Sequence, residues 1–144
     1  MRHPFLVLSA VLVLTPGAAL AGPAITPGLW EITTTTAISG VPGMPQGMKG
    51  LTNTLRQCIT QKDADDPGAI SRQSQGQCRE LQREVRGSRF RSVMDCGENG
   101  KVRTEMTMKG DTFEGTSILE PATKGRPGAT TTLKGRRVGA CPAK

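Results

Sequence analysis

Apolar and polar residues alternate with a period of two along much of this chain. The alternation begins in Leu29 to Ile38 (LWEITTTTAI), where β-branched residues dominate, and it is typical of a β-strand with one buried face. Leu51 to Ile59 predicts a second strand, and a region at about Ala129 to Val138 predicts the last one. Ser39 to Gly50 separates the first two strands and contains so many glycines and prolines that it predicts a loop.

Two short turns set the register of the middle strands. Gly87-Ser88 has the composition of a two-residue hairpin loop with glycine first, and Gly110-Asp111 has the same form. Folding the chain at these turns places apolar residues opposite one another on one face, whereas a slip of one residue would turn them towards solvent. The predicted opposite pairs are Val85–Phe90 and Leu81–Met94 in the first hairpin, and Met108–Phe113, Met106–Gly115, Thr104–Ser117 and Val102–Leu119 in the second.

The turn between these two hairpins, Gly97 to Gly100, has two possible forms. A two-residue Asn-Gly loop would place Met106 opposite Val93 and would break the apolar face. A longer loop with a bulge keeps Cys96 near Val102 and leaves that face continuous, so we favour the longer loop.

One short helix interrupts the strands. Thr60, with Asp63 three residues later, is a capping pattern for a helix that Pro67-Gly68 would end. The chain therefore predicts roughly six strands and at most one short helix. We expect an all-β fold, an antiparallel meander curled into an open barrel or half-barrel and linked by disulfides.

The first 21 residues follow a different pattern. Arg2 and His3 precede an apolar run from Phe5 to Leu14, and the segment ends in Ala18-Ala19-Leu20-Ala21. A basic start, a short apolar stretch and an A-x-A-like tail are the three parts of a secretory signal peptide. The apolar run is also too short to cross a bilayer, which needs about 20 residues. We therefore expect cleavage near Ala21, export from the cytoplasm and no transmembrane segment.

The predicted organisation has three parts. A signal peptide at 1–21 is followed by a short lead-in at 22–28. A single β-rich domain at 29–144 then contains the flexible Gly/Pro/Met loop 39–50.

Composition limits the available chemistry. The chain is basic, with 19 Lys and Arg against 12 Asp and Glu, and it has one histidine and no tyrosine. That histidine, His3, lies in the predicted signal peptide, so the processed chain would have no imidazole for Ser-His-Asp or Cys-His catalysis or for a typical zinc or copper site. We expect a protein that is not an enzyme and that holds neither a cofactor nor a metal.

Four cysteines, an even number in an exported chain, predict two disulfides. Cys78 begins one strand and Cys96 ends its hairpin partner, and if the first strand pairs with the last, Cys58 and Cys141 meet at the other end of the sheet. We therefore favour Cys78–Cys96 with Cys58–Cys141. The hairpin register places Cys96 opposite Arg79, so this choice needs a bulge of one residue, and the alternative of Cys58–Cys78 with Cys96–Cys141 stays open.

A set of ordered motifs resembles the DUF3617 family of small exported proteins, which come mostly from Gram-negative bacteria and have no established function. The motifs are PGLWEIT (27–33), RQCIT (56–60), Cys78, Cys96, GDTFEGT (110–116) and GRRVGAC (135–141). They extend over nearly the whole chain that would remain after processing. The resemblance implies a periplasmic β-rich domain, and it implies no catalytic residue and no ligand.

Basic residues form the first candidate site. On the predicted registers, four of them alternate with core positions and should face water together as an anion-binding strip: Arg89, Arg91, Lys101 and Arg103. Such a strip would attract envelope polyanions, such as lipid headgroups, or a protein partner. Nucleic acid is not expected, since an exported protein rarely meets it and the chain has few aromatic residues to stack bases.

Apolar residues of the same strands form the second candidate site. They would line the concave face of the sheet: Phe90, Met94, Met106, Met108, Phe113 and Leu119. Such a face would hold a lipid-like small molecule, as small barrels do, or would simply form the core.

These sites lead to three hypotheses of function. The first is a periplasmic, non-enzymatic binding or envelope-associated protein with an apolar ligand on its concave face, and the second is an adaptor that uses the arginine-rich strip. The third and weakest is Cu(I) binding by thioethers, for which Met106, Met108, Met44 and Met48 are candidates. Methionine more often fills gaps in a core.

Overall fold

A computed structural model describes residues 25–43, 50–66, 68, 76 and 78–143 of the chain. The predicted signal peptide, and Met44 and Met48 of the loop, lie outside these residues. The elements within them are β1 (Gly28–Ser39), β2 (Leu51–Ile59), α1 (Gln61–Asp65), β3 (Arg79–Arg86), β4 (Arg89–Asp95), β5 (Lys101–Lys109), β6 (Thr112–Glu120) and β7 (Gly128–Gly139).

The strands form one antiparallel sheet in the order β2-β1-β7-β6-β5-β4-β3. The first strand pairs with the last, so a hairpin (β1–β2) joins a five-stranded meander (β3–β7) along the β1–β7 ladder. The sheet is curled but not closed, and β2 and β3 are its two edges. The predicted all-β fold is confirmed, with seven strands in the described residues where the sequence indicated roughly six.

The second hairpin has the predicted register throughout. Gly110-Asp111 turns the chain so that Met108 lies opposite Phe113, and the other three predicted pairs follow in step. Gly110 has a φ of 58°, a left-handed conformation that glycine adopts without strain and that this kind of turn requires.

The first hairpin differs from its prediction at one position. Val85 lies opposite Phe90 as expected, but the predicted pairing of Leu81 with Met94 is wrong, because Glu80 occupies that position. Leu81 is the extra residue of a β-bulge between Glu80 and Gln82. The bulge shifts Arg79 opposite Asp95, which brings the next residues in each direction, Cys78 and Cys96, together.

The turn after β4 takes the longer of its two possible forms. Gly97–Asn99 is a short 3₁₀ turn, and the Cys96 N–H donates to the Gly100 carbonyl at 2.8 Å. This connection places Met94 opposite Val102 and leaves the apolar face of β4 and β5 continuous.

The helix α1 closes one end of the curled sheet. Its N-terminus has the predicted capping box, in which the Thr60 hydroxyl accepts from the Asp63 N–H and the Asp63 carboxylate accepts from the Thr60 N–H. Hydrogen bonds from the Thr60 side chain and backbone lower the pKa of Asp63. The cap orients the helix so that Ala64 is buried against the core.

The core lies on the concave face, at the end of the sheet next to α1. Trp30 of β1 and Phe90 of β4 belong to one buried cluster although three strands separate them in the sheet, and this requires the sheet to curl. The Trp30 ring stacks on Phe113 with centroids 5.3 Å apart. Ile25, in the segment expected to be only a lead-in, is also buried, and the Trp30 Nε1 donates to the Thr26 carbonyl at 3.0 Å.

One disulfide joins parts of the domain that are distant in the chain, and the other joins two consecutive strands. Cys58 is bonded to Cys141 and Cys78 to Cys96, which is the pairing favoured from the strand order. The first links β2 to the chain that follows β7, and the second closes the end of the first hairpin.

The two disulfides should stabilise the fold unequally. In the chain-entropy model, a cross-link stabilises more when it closes a longer loop. The cysteines are 83 residues apart in Cys58–Cys141 and 18 apart in Cys78–Cys96. We expect Cys58→Ala/Cys141→Ala to lower the free energy of unfolding by about 1 kcal/mol more than Cys78→Ala/Cys96→Ala, measured by urea denaturation. An equal loss in the two double variants would contradict this account.

Gly135 makes room for the aromatic stack. It lies in β7 opposite Phe113 of β6, and a Cβ atom at this position would overlap the Phe113 ring. The ring cannot move away because Trp30 is stacked against it.

Gly135→Ala should therefore destabilise the protein by overpacking, by about 1–3 kcal/mol. Gly139→Ala is the matched control, since no heavy atom lies within 4 Å of a Cβ at that position of the same strand. The measurement is the urea midpoint of each variant. A shift as small as that of the control would show that the stack has space to spare.

Candidate anion-binding groove

Side chains of β4 alternate between the core and the opposite side of the sheet, which we call the outer face. Phe90, Ser92 and Met94 are buried, while Arg89 and Arg91, at alternate positions of the strand, are exposed on the outer face. The same alternation along β5 exposes Lys101 and Arg103 there. The structure thus places all four residues of the predicted strip on one face.

Carboxylates lie between these cations. The Arg91 Nε is 3.3 Å from the Glu105 Oε1, and the Arg103 Nε donates to the Glu120 Oε1 at 3.0 Å. Lys101 lies opposite Asp95 on one side and Glu120 on the other. The side chains in both ion pairs are at least half exposed, so each pair contributes about 1 kcal/mol or less to stability.

A groove crosses the outer face from β4 to β7. Its volume is about 650 Å³, and four basic and two acidic residues are among those that line it. Its charged lining consists of Arg89, Arg91, Arg103, Lys134, Glu105 and Glu114, and its other exposed or half-buried side chains include Thr107, Thr116, Thr132 and Ile118. Three residues of the predicted strip therefore share this groove, while Lys101 lines a separate pocket beside Gly100 and Pro121.

Lys134 is the basic residue that the sequence did not indicate. It lies on β7 opposite Glu114 of β6, and β6 and β7 are joined by residues 121–127 rather than by a two-residue turn. Without such a turn, the alternation in β7 does not determine its register with β6, that is, which residue of β6 lies opposite each residue of β7. The useful signal would have been Gly135, since a glycine opposite an aromatic residue is a recurring cross-strand pair.

One cross-strand row connects the two sides of the groove. Arg89 lies opposite Thr107, Thr107 opposite Glu114, and Glu114 opposite Lys134. Neither Arg89 nor Lys134 contacts a carboxylate within the described part of the chain. The groove thus has a cation without an internal partner on each side, and these positions are about 14 Å apart at the main chain, three strand spacings.

The residues predicted to line an apolar site on the concave face have a different environment. Phe90, Met94 and Met108 are only 0%, 2% and 2% exposed, so little of their surface is open to a ligand. Met106 and Phe113 are half-buried and pack against the core cluster, and Leu119 is half-buried as well. This burial favours a packing role for these residues.

Two features are absent from the described residues. No three His, Cys, Asp or Glu side chains there are grouped as they would be around a metal ion. No helix among the described residues has the length and apolar character needed to cross a membrane.

A family model described as "Protein of unknown function (DUF3617)" matches residues 25–141. The chain belongs to the DUF3617 family. The match starts at Ile25, which is buried in the core, and ends at Cys141, so this DUF3617 domain includes both disulfides and the whole sheet. No curated protein and no solved structure matches the chain.

A second charged group lies on the outer face of this DUF3617 domain, beside the groove. The Glu31 Oε1 accepts from the Arg136 Nη2 at 2.6 Å and Nε at 3.0 Å, and the Glu31 Oε2 accepts from Arg56 at 3.4 Å. The hydrogen bond from Arg136, its charge and the weaker contact with Arg56 together lower the pKa of Glu31, against the opposing effect of desolvation. The Glu31 carboxylate therefore links β1 to β7 through Arg136 and to β2 through Arg56.

This lowered pKa makes stability depend on pH. Since the pKa of Glu31 is lower in the folded than in the unfolded protein, its contribution is fully present above the unfolded value, about 4.3, and is lost as the pH falls through the folded value. Glu31→Gln should lower the urea midpoint at pH 7, and its difference from the parent should shrink below pH 4. Glu98→Gln, an equal change of charge in the exposed 3₁₀ turn, is the control. A difference that stays constant with pH would contradict the role of Glu31.

Proposed function

We propose that this DUF3617 protein is an exported, non-enzymatic protein that binds phosphate-bearing groups of the cell envelope in its outer-face groove. The observation that carries the proposal is the pair of cations, Arg89 and Lys134, which lie on the two sides of the groove without a carboxylate partner among the described residues. An anion that binds between them displaces no internal ion pair.

The other lining residues are suited to the same ligand. Guanidinium groups donate to phosphate oxygens in a planar fork, and the hydroxyls of Thr107, Thr116 and Thr132 add further donors. Ile118 is an exposed apolar residue in the same lining, which would contact the hydrocarbon next to a headgroup. A phosphate headgroup attached to an apolar chain therefore fits this groove better than a small inorganic anion does.

The proposed location is the periplasm. Two disulfides and no free cysteine among the described residues agree with an oxidising compartment. The signal-peptide pattern of residues 1–21 supports export, and phosphate-bearing lipids line both sides of that compartment.

Binding rather than catalysis is favoured by what the groove contains. Glu105 is held by Arg91, and basic residues outnumber acidic ones. The apolar-ligand hypothesis has less support, since three of its six residues are already covered by the fold.

If the groove is the binding site, binding to anionic vesicles should depend on Arg89 and Lys134. Arg89→Gln/Lys134→Gln should weaken binding to phosphatidylglycerol vesicles by roughly tenfold or more, because each cation near an anionic membrane surface contributes about 1 kcal/mol. Binding by the parent protein should fall steeply as salt rises from 0.05 to 0.5 M, since exposed charges are screened. The measurement is co-sedimentation with vesicles, and phosphatidylcholine vesicles should bind little.

Lys124→Gln/Arg126→Gln is the matched control, because it removes the same charge from the exposed connection between β6 and β7. Equal losses in the two double variants would indicate attraction to net charge alone and would overturn the proposed groove. Soluble polyphosphate separates two sources of the same phosphate chemistry. If soluble polyphosphate releases the protein from phosphatidylglycerol vesicles as effectively as added free vesicles do, the lipid part is not recognised.

A further inference from the structure

The two edges of the sheet differ in how they are protected. At one edge, β3 has the sequence RELQREVR, with five charged residues, and its ladder is broken by the bulge at Leu81. Charges and bulges are the usual devices that prevent an edge from pairing with another chain. At the other edge, β2 pairs with β1 without a register shift from Leu51 to Ile59, and its first five residues are uncharged.

The uncharged part of β2 is open to solvent and partly apolar. Leu51 and Leu55 are 83% and 41% exposed, and all residues from Leu51 to Arg56 are exposed. Both leucines lie on the concave side of the sheet, since Leu55 is opposite the buried Ile32 and Leu51 is four residues earlier. An exposed strand with free N–H and C=O groups along one side is a template for another strand.

The sequence of this segment is a palindrome, LTNTL, from Leu51 to Leu55. An antiparallel pair of two copies, with a two-fold axis at Asn53, places each residue opposite its equivalent in the palindrome. Leu51 then lies opposite Leu55 of the second copy, Thr52 lies opposite Thr54, and Asn53 lies opposite Asn53.

This register is favourable on both faces. On the concave side, two leucine pairs cover surface that is exposed in a single chain. On the outer face, Thr52 and Thr54 already bond the hydroxyls of Thr35 and Thr33 of β1 at 3.0 Å, so pairing continues an existing threonine ladder. A slip of one residue would instead place Leu51 opposite Arg56.

We infer that β2 is a homodimerisation edge, at which two copies join their seven-stranded sheets into one continuous sheet about a two-fold axis at Asn53. The proposal does not depend on the groove, which lies on β4 to β7. An edge-to-edge contact buries little surface, so the dimer should depend on concentration.

Sedimentation velocity over a hundredfold range of concentration tests the dimer. Leu51→Lys should weaken association at least tenfold, because it places a charge opposite a leucine twice in each dimer. Val85→Lys is the matched control, since Val85 is an exposed apolar residue of the protected edge, and it should leave association unchanged. A protein that is monomeric at every concentration, or a dimer that Leu51→Lys leaves intact, would overturn the inference.

A cross-link tests the register without relying on a disruptive variant. Directly opposite residues of an antiparallel pair have Cα atoms about 4.5–5.5 Å apart, within the range that a disulfide spans. Asn53→Cys should therefore form a covalent dimer on mild oxidation, whereas Leu81→Cys on the other edge should not. Equal cross-linking of both variants, or none for Asn53→Cys, would contradict the two-fold axis at Asn53. Arg89→Gln/Lys134→Gln should dimerise as the parent does, so the proposed binding groove and the proposed dimer edge can be rejected independently of each other.

Discussion

The antiparallel ladder between the first and the last strand is the interaction on which the rest of this structure depends. β1 and β7 are in register from Leu29 and Gly139 to Ser39 and Gly128, with one shift near the start. The chain between these two strands runs from residue 40 to residue 127. Bringing its ends together costs conformational entropy before any contact compensates for it. The compensation is local to the ladder: the Trp30–Phe113 stack lies beside it, and the Cys58–Cys141 disulfide ties β2 across it to the end of β7.

This one pairing determines the surroundings of residues far from it. It places Gly135 between Ile32 and Phe113, where only a residue without a side chain leaves room for the aromatic ring. It also sets the face on which Lys134 lies, and hence the far side of the groove. Since β1 is occupied by β7 on one side, its hairpin partner β2 becomes an edge.

The sequence was sufficient to predict pairings between strands joined by short turns, but not pairings between strands that are distant in the chain. Two-residue turns carry their register with them, so Gly110-Asp111 was enough to predict four cross-strand pairs. The bulge at Leu81 lies between these cases: the need for an extra residue follows from the cysteines, but its place depends on packing against β4. The register of β7 depends on contacts made across the whole domain, and for that reason Lys134 was missed while Arg89 was found.

The two proposals concern different parts of the sheet, but geometry relates them. A two-fold axis that relates two antiparallel strands of one sheet runs perpendicular to that sheet, so both outer faces lie on the same side of the joined sheet. A β2-linked dimer would therefore present two grooves in the same direction. On a membrane surface, the second groove would bind at a high effective concentration after the first, which strengthens attachment without any new contact in either groove. Weak exposed cations, each contributing little alone, would become useful for envelope binding through this repetition.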